Sequence, residues 1–147
     1  KLFEYESRLV VSPQHPLLYE TDLSPERLAK ETLICHPVEL NRLDIYNHYF
    51  TPANVEPKHV RRTQLTPMLI QLVSNQRGIA ALPDWVVYDF ERQGLVKTLR
   101  MPVGDGNGLL CTLYAAYREA QTAQTYFTEF LNQMKKYAQQ RDTFYLR

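Results

Sequence analysis

The chain has 147 residues, 44% of them apolar, with 17 Lys and Arg against 16 Asp and Glu for a net charge of +1. That apolar content excludes a disordered chain, and the even charge balance argues against a domain built to grip duplex DNA. No apolar run approaches the roughly 18 residues of a membrane helix, and no leader pattern opens the sequence, so a cytoplasmic location is expected.

Leu2 to Ser12 alternates and then turns continuously apolar through Leu9, Val10 and Val11. This predicts a strand entering a core, closed by Pro13 and Pro16. Ser24-Pro25-Glu26 gives a hydroxyl cap, a proline at the first helical position and an acid in the first turn, predicting a short helix to about Glu31. Thr32 to His36 is a brief apolar strand ended by Pro37. From Asn41 a second helix is expected, with Leu43, Tyr46 and Phe50 on one face, stopped by Pro52. Lys58 to Thr63 reads as a strand. Thr66-Pro67 repeats the cap-plus-proline signature and launches a helix that Gly78 ends. Ile79 to Leu82 suits a buried strand, and Pro83-Asp84 opens a helix that stops at Gly94. Strands follow at Leu95–Met101 and Leu109–Tyr117, joined by the hairpin-type turn Gly104 to Gly108. Ala123, Tyr126, Phe127, Phe130, Leu131, Met134, Tyr137 and Ala138 then keep helical spacing. Strands alternating with short helices predict an α/β domain with a largely parallel sheet.

Catalytic signatures are absent from this pattern. His15, His36, His48 and His59 form no helical metal pair, and Cys35 and Cys111 lack zinc spacing. Both cysteines sit in apolar stretches and suit buried thiols in a reducing compartment; spacing alone leaves a disulfide between them open. Cys35 and His36 are neighbours, so on a strand they face opposite ways and cannot act as nucleophile and base. The turn at Gly104 lacks the Lys-Ser/Thr of a phosphate loop. Arg61, Arg62 and His59 read as a solvated strand edge. No metal, cofactor or catalytic residue is expected, and the chain is read as a binding module.

Several dispersed segments carry a resemblance. Arg8-Leu-Val-Val-Ser12 leads into Gln14-His15-Pro16-Leu17; Leu28-Ala29 sits in the first helix. Later come Ile70-Gln71-Leu72-Val73, Gly78 through Pro83, Trp85-Val86-Val87, and Phe90-Glu91-Arg92-Gln93-Gly94-Leu95-Val96, with Asn41-Arg42-Leu43-Asp44 and Leu113-Tyr114-Ala115-Ala116 in support. Together they resemble the effector-binding domain of LysR-type transcription regulators. Within that family the likeness is greatest to a homocysteine-responsive activator of methionine biosynthesis genes.

The resemblance implies a periplasmic-binding-protein-like (type 2) fold of two α/β lobes joined by crossover strands. Residues 1–12 and 109–117 would be the crossovers, 13–108 the second lobe, and 118–147 the final helix and tail, which packs on a first lobe largely missing here. A winged helix-turn-helix would lie upstream of Lys1 and make the DNA contact, while the regulator assembles as a homo-oligomer, a dimer or tetramer. No membrane partner and no cofactor is implied, only a small-molecule effector.

Effector clefts form where strands end and helix N–H groups are exposed. The N-terminus at Thr66, with the N–H groups of Met68 and Leu69, is the first expected contact, Gln64 and Leu65 leading into it. The loop His36-Pro37-Val38 is the second, and Ser12 at the crossover is the third. The resemblance assigns effector contact to Thr66 and Ser12; Val38 and Leu65 offer an apolar slot. Alternative readings are a LysR-type sensor for another small acid or amino acid, a solute-binding protein of this fold, or a transferase built on the same lobes. The last would need a cofactor-bearing cysteine or clustered arginines in a cleft.

Overall fold

A computed structural model describes residues 1–103, 106, 108–118 and 125–145, with side chains described as far as residue 138. The chain divides into two compact units, Lys1–Tyr5 with Cys111–Arg147, and Glu6–Leu110.

Among the described residues the strands and α-helices follow in the order β1 (Phe3–Val11), α1 (Pro25–Leu28), β2 (Thr32–Cys35), β3 (His59–Arg62), α2 (Thr66–Ser74), β4 (Ala80–Pro83), α3 (Asp84–Arg92), β5 (Lys97–Leu99), β6 (Leu109–Leu113) and α4 (Thr125–Tyr145). In the larger unit β2 and β3 pair in parallel, Thr32 opposite His59 and Cys35 opposite Arg62. A parallel bridge at Leu33 and Ile79 carries this pair onto the segment that becomes β4. On the far side of β4 lies β1, antiparallel, with Ser7 opposite Pro83 and Val10 opposite Ala80. β5 is antiparallel to β1 in turn, and β6 also pairs with β1. The strand pairing is therefore mixed rather than largely parallel: β2 and β3 are parallel, while β1 runs against β4 and β5. α2 and α3 pack on one face, closing a core of Val10, Ile34, Ile70, Val73, Leu82 and Val87.

Local chemistry explains most elements. The Arg27 N–H donates to Ser24 Oγ at 3.3 Å, so Ser24 caps α1 as its sequence predicts. His15 precedes the 3-10 turn Pro16–Tyr19, and its Nδ1 accepts the Leu17 N–H at 3.2 Å. Arg27 fastens this region by donating to Glu20 at 2.6 and 2.8 Å and to Glu31 at 2.9 Å.

Two expectations about the helices fail. The helix from Asn41 is broken into a 3-10 turn at Leu40–Arg42 and a π turn at Tyr46–Phe50. Leu43 between them is extended (ψ 126), and the Thr51 N–H reaches back five residues to the Tyr46 carbonyl. Tyr46, Tyr49 and Phe50 are buried together within this wider turn. Nor does Gly78 end α2. Asn75 is the C-cap, and Gln76 takes the left-handed conformation at φ 56. Gly78 is instead needed for close approach: a Cβ there would lie 2.2 Å from the Thr32 carbonyl oxygen.

β5 and β6 are shorter than their apolar runs. In the turn before β6, Gly104, Asp105 and Asn107 lie outside the described residues, while Gly106 donates to the Val103 carbonyl at 3.1 Å. In the smaller unit the Leu2 N–H donates to the Leu113 carbonyl at 2.8 Å. Tyr117 meets Phe127 of α4 edge-on at 5.3 Å. Ala123, expected in the last helix, lies outside the described residues.

Candidate functional site

Parallel pairing places the carboxyl ends of β3, β2 and β4 along one edge of the sheet. The Thr63 N–H donates to the Cys35 carbonyl at 3.0 Å, one step past the last ladder pair. That bond holds the loop His36–Val38 beside Thr63–Leu65, so two of the three expected contact segments are neighbours. His36 is half-buried; Pro37, Val38, Gln64 and Leu65 are exposed, and Thr66 is half-buried at the start of α2.

The N-terminus of α2 differs in detail from its sequence signature. Leu65 is the N-cap, its carbonyl accepting the Leu69 N–H at 3.0 Å, and no side chain caps the helix. Thr66 is thus the first helical residue, and its hydroxyl is not the cap. The Leu69 amide, expected to be available, is used inside the helix. The amides of Thr66 and Met68 remain without an intrahelical acceptor, since Pro67 between them has none. They present a partial positive charge suited to a carboxylate.

Ser12 does not join this group. Because β1 is antiparallel to β4, its end lies beyond the Ala80 pairing, at the amino ends of β2 and β4. Its hydroxyl is fully buried and has no hydrogen-bond partner. The β1 serine at the carboxyl edge of β4 is Ser7, buried and opposite Pro83. A strand of unknown direction cannot tell these two serines apart.

Sequence reasoning also missed Met68 and Trp85. Both are exposed, and both stand in the first turn of a helix that leaves the same edge, Met68 on α2 and Trp85 on α3. With Val38 and Leu65 they give this edge four exposed apolar side chains. The available signal was an apolar residue in the first turn of each helix after a parallel strand.

Cys35, at this edge, is not activated as a nucleophile. Burial pushes the Cys35 thiol up from its ordinary range, against a smaller opposing pull from Arg62, so it stays protonated near neutral pH. Cys35 is a free thiol. Among the described residues no group of three or more His, Cys, Asp and Glu is placed to hold a metal. A separate depression of about 410 Å³, lined by Tyr46, Thr51, Asn54, Val55 and Glu56, contains none of the expected site residues.

A profile of the LysR substrate binding domain matches residues 1–139. The chain belongs to that family. It is 44% identical over 137 residues to the HTH-type transcriptional regulator MetR of Escherichia coli (strain K12), covering 93% of this chain and 42% of the relative. Against MetR of Buchnera aphidicola the identity is 41% over 133 residues, 88% of this chain and 40% of the relative. The chain therefore spans less than half the length of these LysR-family regulators. The regulatory domain of MetR from N. meningitidis, a cysteine-to-serine double mutant, superposes with a TM-score of 0.80 at 36% identity, over 92% of this chain and 63% of that one. The type 2 periplasmic-binding-protein-like fold expected from the sequence is thus established for this LysR domain. Among the described residues no helix is long and apolar enough to cross a membrane.

Proposed function

We propose that the chain is part of the effector-sensing region of a LysR-type transcriptional regulator and that its effector is homocysteine. The observation that carries the reading is the edge itself, where uncapped amides of Thr66 and Met68 stand beside the His36–Val38 loop. A carboxylate suits the amides, and a thiol-bearing tail suits Val38, Leu65, Met68 and Trp85. The kinship to MetR regulators supports a sulfur-containing amino acid over other small acids.

The action is allosteric and not enzymatic. An effector held better by one arrangement of the regulator shifts its population, without bond-making and without a cofactor. DNA contact belongs to a region outside this chain, the regulator works as a homo-oligomer in the cytoplasm, and α4 packs on the lobe supplied by the upstream sequence.

The test is calorimetric titration of the full-length regulator with homocysteine, methionine and cysteine, repeated with Thr66→Ala. Homocysteine is expected to bind best. Loss of the Thr66 hydroxyl is expected to weaken it about tenfold, the scale of one hydrogen bond to a charged ligand. Stability should change by under about 0.5 kcal/mol, since Thr66 is not the cap. No homocysteine heat, or a Thr66→Ala titration that overlays the parent, overturns the assignment.

A further inference from the structure

Glu6 is the one buried acid among the described residues, 7% exposed. Its carboxylate accepts four N–H bonds. Arg8 Nε and Nη2 donate at 3.2 and 2.9 Å, and Arg100 Nε and Nη2 at 2.9 and 3.2 Å. The partners come from far apart in sequence, Arg100 being 94 residues beyond Glu6. Gly108, at the head of β6, completes the enclosure. It holds φ +84, and a Cβ there would fall 2.5 Å from Glu6 Oε1. The carboxylate thus lies against the bare backbone that leads into β6.

Its place in the chain gives this cluster a role. The chain passes between the two compact units twice, at Tyr5–Glu6 on β1 and at Leu110–Cys111 on β6. Glu6 is the first residue after one passage, and Gly108 stands two residues before the other. A buried acid held by two guanidinium groups is a poor way to gain stability over an apolar pair, and its best-attested use is to fix one arrangement against others. We infer that Glu6, Arg8 and Arg100 form a latch that clamps the head of β6 to β1 where both strands pass between the units. The latch goes beyond the effector reading and does not depend on it. Bidentate geometry matters here, because one guanidinium grips both carboxylate oxygens and so fixes the plane of Glu6.

Hydrogen exchange on this chain, read by region, tests the inference with Arg100→Gln and Arg100→Lys. The Arg100 side chain is 56% exposed, so truncating it leaves the core intact. In the Gln variant the amides of Leu2 and Leu109–Leu113 should exchange about tenfold faster, while β2 and β3 keep their parent rates. The Lys variant should fall between, since an ammonium cannot match both oxygens in one plane. Unchanged β6 amides in the Gln variant, equal acceleration in β2 and β3, or a Lys variant no better than Gln overturns the latch.

Discussion

His15 shows how one side chain ties a local turn to solution pH. Its Nδ1 accepts the Leu17 N–H, a role open only to the unprotonated nitrogen, and its Nε2 lies 3.8 Å from Glu31 Oε2. Burial lowers its pKa below the ordinary 6.5, outweighing the opposing attraction of Glu31. The folded state therefore binds fewer protons than the unfolded state just below that value. Stability from His15 is complete above pH 6.5 and is lost as pH falls through 6.5 toward the lower folded pKa. Urea unfolding at stepped pH should show this decline, and His15→Gln should flatten it. A parent and variant with parallel pH profiles would remove His15 as the cause. Ser24 was legible from sequence because a cap needs only its own three following residues. Thr66 carried the same signature but started the helix one residue earlier, since the approach to α2 is set by the β3 loop.

Among elements, the contact of β4 with β2 is the least forgiving. Gly78 lets the Ile79 N–H reach the Thr32 carbonyl at 2.9 Å, and the Ile34 N–H reach the Ile79 carbonyl at 2.8 Å. Gly78→Ala would set a methyl 2.2 Å from a backbone oxygen at φ +149. Equilibrium denaturation is expected to show a loss of roughly 3 kcal/mol or more, the scale of overpacking added to backbone strain. A change below about 1 kcal/mol would mean that the two segments are not in this contact. Gly78 was read as a helix stop because its position after an apolar run fits that rule. The approach of Thr32, forty-six positions earlier, is invisible to any local pattern. The π turn at Tyr46–Phe50 escaped for a related reason. Its apolar spacing is the same in an α-turn and a π turn, so only the bond from the Thr51 N–H to the Tyr46 carbonyl, with Tyr46 and Tyr49 each edge-on to Phe50 at 5.6 Å, reveals it.

On the scale of the whole molecule, α4 leaves an apolar stripe uncovered. Tyr126, Phe130, Met134 and Tyr137 are spaced to share one helix face, and all four are exposed. On the proposed reading this face meets the lobe encoded upstream. Replacing Tyr126 and Phe130 with Ser should leave the stability of this chain within about 0.5 kcal/mol. The same change should cost the full-length regulator about 2 kcal/mol or more in unfolding experiments, from apolar area returned to water. Equal effects in both would place the stripe elsewhere.

The sequence by itself determined the strands, the short capped helices and the membership of the LysR domain family. These rest on apolar period, proline and cap residues, and ordered motifs, all of which are local or survive as a linear pattern. Only the tertiary structure decided that β1 runs against β4, which sends Ser12 to the amino end of the sheet and leaves Ser7 at the carboxyl end. It also gathered His36–Val38, Thr66, Met68 and Trp85 at one edge. Strand direction and order come from hydrogen bonds between segments tens of residues apart, and a linear pattern of apolar residues is the same whichever way its strand points.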